Sequence, residues 1–236
     1  MIIKQSPTEK FEIKIPMTIQ YWLIFLLLTF LCCQTHEFFH HILGAILCGG
    51  FGKMTFGVFV TKSQCRSDNL VTLAGPLLTF ALEWTGMYIL SRRKYMLFAF
   101  TLVFASFAHL RFMLPLGSSG DEWLLARTYF HQPNPYILAL FLFLLGLPPI
   151  LYTYRLISNQ RRFFVFAISW LMPLIILIAL SLVDNWLFAS DPNNAHLALA
   201  GVPVVVLLTN LIGIFLFVTI GNKTLNQYQT ANVKNK

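Results

Sequence analysis

Six apolar runs, each long enough to cross a bilayer, restrict the fold of this chain before any single residue is considered. They cover residues 19–47, 70–90, 95–114, 135–154, 163–183 and 197–220. About 20 helical residues span the hydrocarbon. A backbone in lipid must satisfy its own N–H and C=O groups, which a helix does within one segment. Only 11% of the residues are charged and 57% are hydrophobic, against about 25% charged in soluble domains. The expectation is an all-α polytopic membrane protein with about six transmembrane helices. The first run exceeds one span, so it tilts, breaks or projects from the bilayer. Residues 1–16 are polar and mixed in charge, and no small-x-small cleavage site follows them. The first run therefore reads as a retained helix and not as a signal peptide.

The net charge of +8 does not point to nucleic acid, because the cations sit in short clusters between the apolar runs. These are Arg92-Arg93-Lys94, Arg155 with Arg161-Arg162, and Lys234 with Lys236. With Lys4, Lys10, Lys14 and Lys223 they make twelve on one side; Lys53, Lys62, Arg66, Arg111 and Arg127 make five on the other. The positive-inside rule then puts both termini in the cytoplasm. The loop at 184–196, with two Asp and no Lys or Arg, belongs outside. A small six-span chain without organelle signals reads as a bacterial inner-membrane protein.

Within the first run lies His36-Glu37-Phe38-Phe39-His40. A shuffled chain of this composition would contain roughly 0.003 copies of such an H-E-x-x-H string, which guards against a chance motif match. On a helix, His36 and His40 fall on one face, one turn apart. That spacing lets two imidazoles share one zinc ion, with Glu37 beside them as general base toward an attacking water. Ionisable groups at bilayer depth are costly, which also favours a functional role.

A catalytic zinc site needs a third protein ligand. His41 is rotated about 100° from His40 and is poorly placed to join the same ion. His109, His131 and His196 are isolated, and His196 lies in a distant loop. Asp121 is the better candidate. It follows the third run in Met113-Leu114-Pro115-Leu116-Gly117-Ser118-Ser119-Gly120-Asp121, where Pro115 ends the helix and the glycines permit a tight path back. Glu122 stands behind it as the fallback. Cys32 shares a face with His36 and is either a soft fourth ligand or a small packing residue. Cys48 and Cys65 flank a loop and can pair if it meets an oxidising space. In that loop Gly49-Gly50-Phe51-Gly52 breaks the helix, and residues 54–61 read either as a short strand or hairpin or as an ordinary connection. An extended segment there can pair with an unwound substrate. Glu83 is a further ionisable residue at membrane depth, without an assigned role.

These segments resemble the site-2 protease family of intramembrane zinc metalloproteases. The resemblance rests on the His36–His40 string, on Leu73-Ala74-Gly75-Pro76-Leu77 opening the next helix, and on Leu114-Pro115 leading to Asp121. It covers about residues 20–130. It implies His36, His40 and Asp121 as zinc ligands, Glu37 as general base, and Gly75 and Pro76 as structural or substrate-binding support. His109 is a candidate for supporting the third ligand. The chain departs from the family in having Glu122 after Asp121 where Gly is usual, and no Asn just after Gly75-Pro76. The implied organisation is a cytoplasmic segment at 1–16, a three-helix metalloprotease-like core at 17–132, three further helices at 133–222 and a polar tail at 223–236. The expected activity is hydrolysis of peptide bonds in membrane-embedded or membrane-proximal substrates. The rival readings are a catalytically inactive zincin-like binding protein, a transporter, and a membrane di-iron hydroxylase suggested by His36, His40 and His41.

Overall fold

The computed structural model describes residues 12–62, 65–188, 197–221 and 223–226. His196, Asp191 and most of both terminal segments lie outside the described residues. Helix α1 (Ile19–Cys48) starts where the Thr18 side chain accepts from the Tyr21 N–H. It runs unbroken for 30 residues and stops at Gly49, whose φ of 70° only glycine adopts freely. At 1.5 Å per residue α1 is about 45 Å long and projects beyond a hydrocarbon core of about 30 Å. Two short strands follow, β1 (Lys53–Met54) and β2 (Phe59–Val60), paired antiparallel with Lys53 opposite Val60. The hairpin reading of residues 54–61 therefore holds. Cys48 and Cys65 are joined in a disulfide, their Cα atoms 5.0 Å apart, tying the end of α1 to the approach to α2 (Asp68–Ser91).

The third apolar run is not one helix. It divides into α3 (Met96–Ala105), a 3-10 turn (Ala108–Leu110) and α4 (Met113–Leu116). The break falls at Phe107, whose φ of 51° cannot continue a right-handed helix. Its ring is buried with Cys32, Cys33 and Leu110, so packing compensates the local strain. Pro115 lies within the last turn of α4, which ends one residue later. Left-handed Ser118 and Gly120 then reverse the chain and deliver Asp121 to the first position of α5 (Asp121–Phe130).

Three long helices complete the molecule. Helix α6 (Pro135–Leu156) is capped by Asn134, which accepts from the N–H groups of Tyr136 and Ile137. Helix α7 (Arg162–Phe188) is followed by the β3 (Leu197–Leu199) and β4 (Val202–Pro203) hairpin, and then by α8 (Val204–Leu216). The expected sixth helix thus begins at residue 204 and not at 197. Ala200 and Gly201 have positive φ, and Pro203 is extended with ψ 146°, so the apolar stretch before Val204 turns instead of coiling.

Among the described residues, six helical spans are long and apolar enough to cross a membrane: Ile19–Cys48, Asp68–Ser91, Met96–Leu116, Pro135–Leu156, Arg162–Phe188 and Val204–Asn226. The protein is an all-α polytopic membrane protein. Helices α1, α2 and α3 pack around a core of Tyr21, Phe25, Phe100 and Phe104 that Ile150 of α6 joins. Leu171, Ile175, Ile178 and Leu182 of α7 are exposed at helical spacing, a face suited to lipid. At the basic end, Ile13 bridges Ile157, and Asn159 bonds both the N–H and the carbonyl of Ile15. Gln20 donates to Thr224 at 3.2 Å, so the start of α1 meets the C-terminal segment.

Candidate metal centre

One turn of α1 and the first residue of α5 meet in the half of the molecule that carries the disulfide. His36 Nε2 and His40 Nε2 are 3.1 Å apart, and Asp121 Oδ2 lies 3.3 Å from the first and 3.5 Å from the second. A tetrahedral zinc with arms of about 2.0–2.1 Å has edges of about 3.3–3.4 Å. Among the described residues this triad is the one group of His, Cys, Asp or Glu with convergent metal-ligand atoms. The expected ligands are brought together, with the metal's identity open.

Hydrogen bonds on the far side of each ring fix which atom faces the centre. His40 Nδ1 is 2.6 Å from the Val71 carbonyl, which only accepts, so the proton sits on Nδ1 and Nε2 offers a lone pair. The Gly75 N–H also approaches Nδ1, but at 3.4 Å; the shorter contact decides the tautomer. The Thr79 hydroxyl donates to the Gly75 carbonyl at 2.8 Å, which leaves its oxygen to accept from His36 Nδ1 at 2.7 Å. His36 Nε2 is therefore a lone pair as well. Two imidazole lone pairs and a carboxylate converge with no proton between them, a donor set that fits a divalent cation.

Helix α2 makes this approach possible. A Cβ at Gly75 would lie 2.5 Å from His36 Cε1 and 2.6 Å from its Nε2, and closer still to His40 Nε2. Only glycine lets α2 lie against both imidazoles. Pro76 has no N–H to give to the Thr72 carbonyl four residues before it, and the adjacent Val71 carbonyl receives His40 Nδ1. Phe59 of β2 stacks on the other face of His40, ring centroids 4.0 Å apart and 10° from parallel.

Arg111 was not legible as part of the centre; by charge alone it counts as a loop cation. It is 3% exposed and lies just after the 3-10 turn. Its Nη2 donates to Asp121 Oδ2 at 2.8 Å and to Glu122 Oε2 at 2.9 Å, and its Nε donates to Glu122 Oε1. The guanidinium thus clamps Glu122 with two bonds and the third ligand with one. Burial works against the Asp121 carboxylate, whereas the Arg111 guanidinium beside it favours the charged form and holds the group below the usual carboxylate range. The hint in the sequence was an arginine inside an apolar run, ten residues before the acid.

Several expected participants lie elsewhere. His109 is turned toward α7, its Nε2 donating to the Trp170 carbonyl at 3.1 Å; support for Asp121 comes from Arg111. His41 donates to the Ala200 carbonyl at 2.7 Å, as its rotation from His40 anticipated. Glu122 is engaged by Arg111, and Cys32 is buried in an apolar cluster.

Glu37 lines a cavity of about 720 Å³ with His36, Arg111 and Asp121. Its other walls are the β1–β2 hairpin and α7 from Leu174 to Phe188. Asp184 of α7 fastens the hairpin: its Oδ2 accepts from Thr55 Oγ1 at 2.7 Å and from the Gly57 N–H at 3.1 Å, and its Oδ1 from the Phe56 N–H at 3.0 Å. Gln34 of α1 donates to the Phe56 carbonyl at 2.7 Å and accepts from Asn210 of α8 at 3.0 Å. The chamber is mostly apolar, with the ionisable groups of His36, Glu37, Arg111 and Asp121 among its lining. No family model, curated protein or solved structure matches the chain.

Proposed function

We propose that this protein is an intramembrane zinc metalloprotease of the site-2 type, hydrolysing peptide bonds of membrane-embedded or membrane-proximal substrates. The carrying observation is the convergence of His36, His40 and Asp121 beside a cavity of about 720 Å³ that His36, Asp121 and Glu37 line. Those three residues would hold the ion. When bound, zinc supplies Lewis-acid polarisation and lowers the pKa of a water toward about 7. Glu37 accepts the proton of the attacking water and delivers it to the leaving amine. Arg111 keeps Asp121 in place. The hairpin and α7 hold the substrate segment in extended form, because a helical carbonyl is hydrogen-bonded and shielded from attack.

The centre belongs to the outer half of a bacterial inner membrane, with both termini cytoplasmic. The Cys48–Cys65 disulfide supports an oxidising compartment at its end of α1. The N-terminal segment, the α6–α7 loop and Thr224 meet at the opposite, basic end. A single cluster of ligand atoms among the described residues supports a mononuclear site over a di-iron one.

The test is metal content and cleavage together. Purified wild type should carry one zinc per chain, lost in His36→Ala and Asp121→Ala. Glu37→Gln should retain zinc and lose turnover against a panel of membrane peptides. Cleavage by Glu37→Gln at the wild-type rate would sink the mechanism, and iron in place of zinc would favour the oxygenase reading.

A further inference from the structure

Both carboxylate oxygens of Glu83 and Nδ1 of His109 are buried and have no hydrogen-bond partner among the described residues. Glu83 is 0% exposed and His109 2%. The Glu83 carboxyl oxygens and the His109 backbone border the same spot, Gly146 in α6. A Cβ there would lie 3.4 Å from Glu83 Oε2, 3.7 Å from Oε1 and 3.3 Å from His109 Cα. The missing side chain lets α6 close over the pair.

The chemistry of the three orphaned atoms is one-sided. Because His109 Nε2 donates to the Trp170 carbonyl, its Nδ1 is a bare lone pair. Two carboxyl oxygens and this nitrogen are three acceptors without a donor. Neighbouring groups do not supply one. The Trp84 indole donates to the Leu145 carbonyl at 3.2 Å, and Arg111 is committed to Asp121 and Glu122. From α3, Ala99 and Val103 face α2 at Gly86; from α6, Leu142 and Leu145 join Phe80 in an apolar cluster. An unpaired carboxylate is prohibitive at membrane depth.

We propose that Glu83 and His109 form a proton-binding site separate from the metal centre. The carboxylic acid O–H of Glu83 donates to an internal water, and that water donates to His109 Nδ1. Taking up the proton makes Glu83 neutral and supplies the missing donor. Losing it leaves a carboxylate that only entering water can solvate, so the seam between α2 and α6 must open. The site therefore senses protons through the seating of α6, and it does so whether or not the metal centre is a peptidase.

Infrared spectroscopy of the full-length protein, with carboxyl-labelled glutamate, reads this directly. A protonated-glutamate carbonyl band should be present at neutral pH in wild type and in Glu37→Gln, lost when Glu83→Gln is added to Glu37→Gln, and displaced in frequency when His109→Leu is added instead. Should Glu83→Gln fail to fold, nitrogen-labelled histidine NMR of wild type must still show one imidazole with a hydrogen-bonded, unprotonated Nδ1. A band that survives when Glu37→Gln and Glu83→Gln are combined, or no such imidazole, overturns the proposal. A wild-type band abolished by sodium or potassium chloride would assign the site to an alkali cation and overturn it too.

Discussion

At the scale of single residues, the centre depends on two groups that are not ligands. Gly75 is one. A methyl group there would overlap His36 and His40, and α2 cannot retreat without losing the Val71 and Thr79 bonds to both rings. Gly75→Ala is therefore expected to lower zinc affinity by about 10- to 100-fold, the usual cost of disturbing ligand support, with helical circular dichroism unchanged. Arg111 is the other. Arg111→Lys keeps a charge but loses the fork that spans Glu122 and Asp121. Zinc affinity should fall about 10-fold or more, measured by competition with a chelating dye. Arg111→Met should be worse, because it strands buried Glu122 at a cost of about 3–5 kcal/mol, visible as a lowered melting temperature. The pairing of His36 with His40 was legible because two imidazoles one turn apart form a short pattern, whereas Asp121 was reached through the proline and glycines before it and through a family resemblance. Arg111 was not, because its partners reach it only after Ser118 and Gly120 reverse the chain.

At the scale of elements, α7 has a task that its sequence does not advertise. It reads as one apolar span, and its only acid, Asp184, sits where a loop charge would. The structure instead places Asp184 in the last turns of α7, accepting from the Thr55 hydroxyl and from the Phe56 and Gly57 N–H groups. Asp184→Ala should release the hairpin while leaving His36, His40 and Asp121 intact. The expected outcome is unchanged zinc content, with faster amide exchange at Phe56 and Gly57 by mass spectrometry. If those amides keep wild-type protection, the Asp184 contact is not what fixes the hairpin. The hairpin itself was legible, since glycines and then β-branched and aromatic residues follow α1. The start of α8 was less so. Hydropathy continues evenly through residues 197–203, and no local pattern reveals either the positive φ of Ala200 or the contact His41 makes with its carbonyl.

Across the whole molecule, charge and covalent chemistry divide the two ends. Arg92, Arg93 and Lys94 follow α2, and Arg161 and Arg162 open α7, where Ile13 and Ile15 are pinned to Ile157 and Asn159. The disulfide and both hairpins occupy the other end, beyond the metal ligands on α1. In the proposed orientation the positive-inside rule puts the basic end in the cytoplasm, and a disulfide persists only where thiols are not kept reduced. Cysteines introduced one at a time as Lys94→Cys and Lys62→Cys should therefore react from opposite sides of intact cells. A membrane-impermeant maleimide should label Lys62→Cys before lysis and Lys94→Cys only after it. Cys32 and Cys33 are buried and should stay silent in both. The reverse pattern would place the metal centre in the cytoplasmic half, where the Cys48–Cys65 bond would not be maintained, and the assignment of compartment would fall with it.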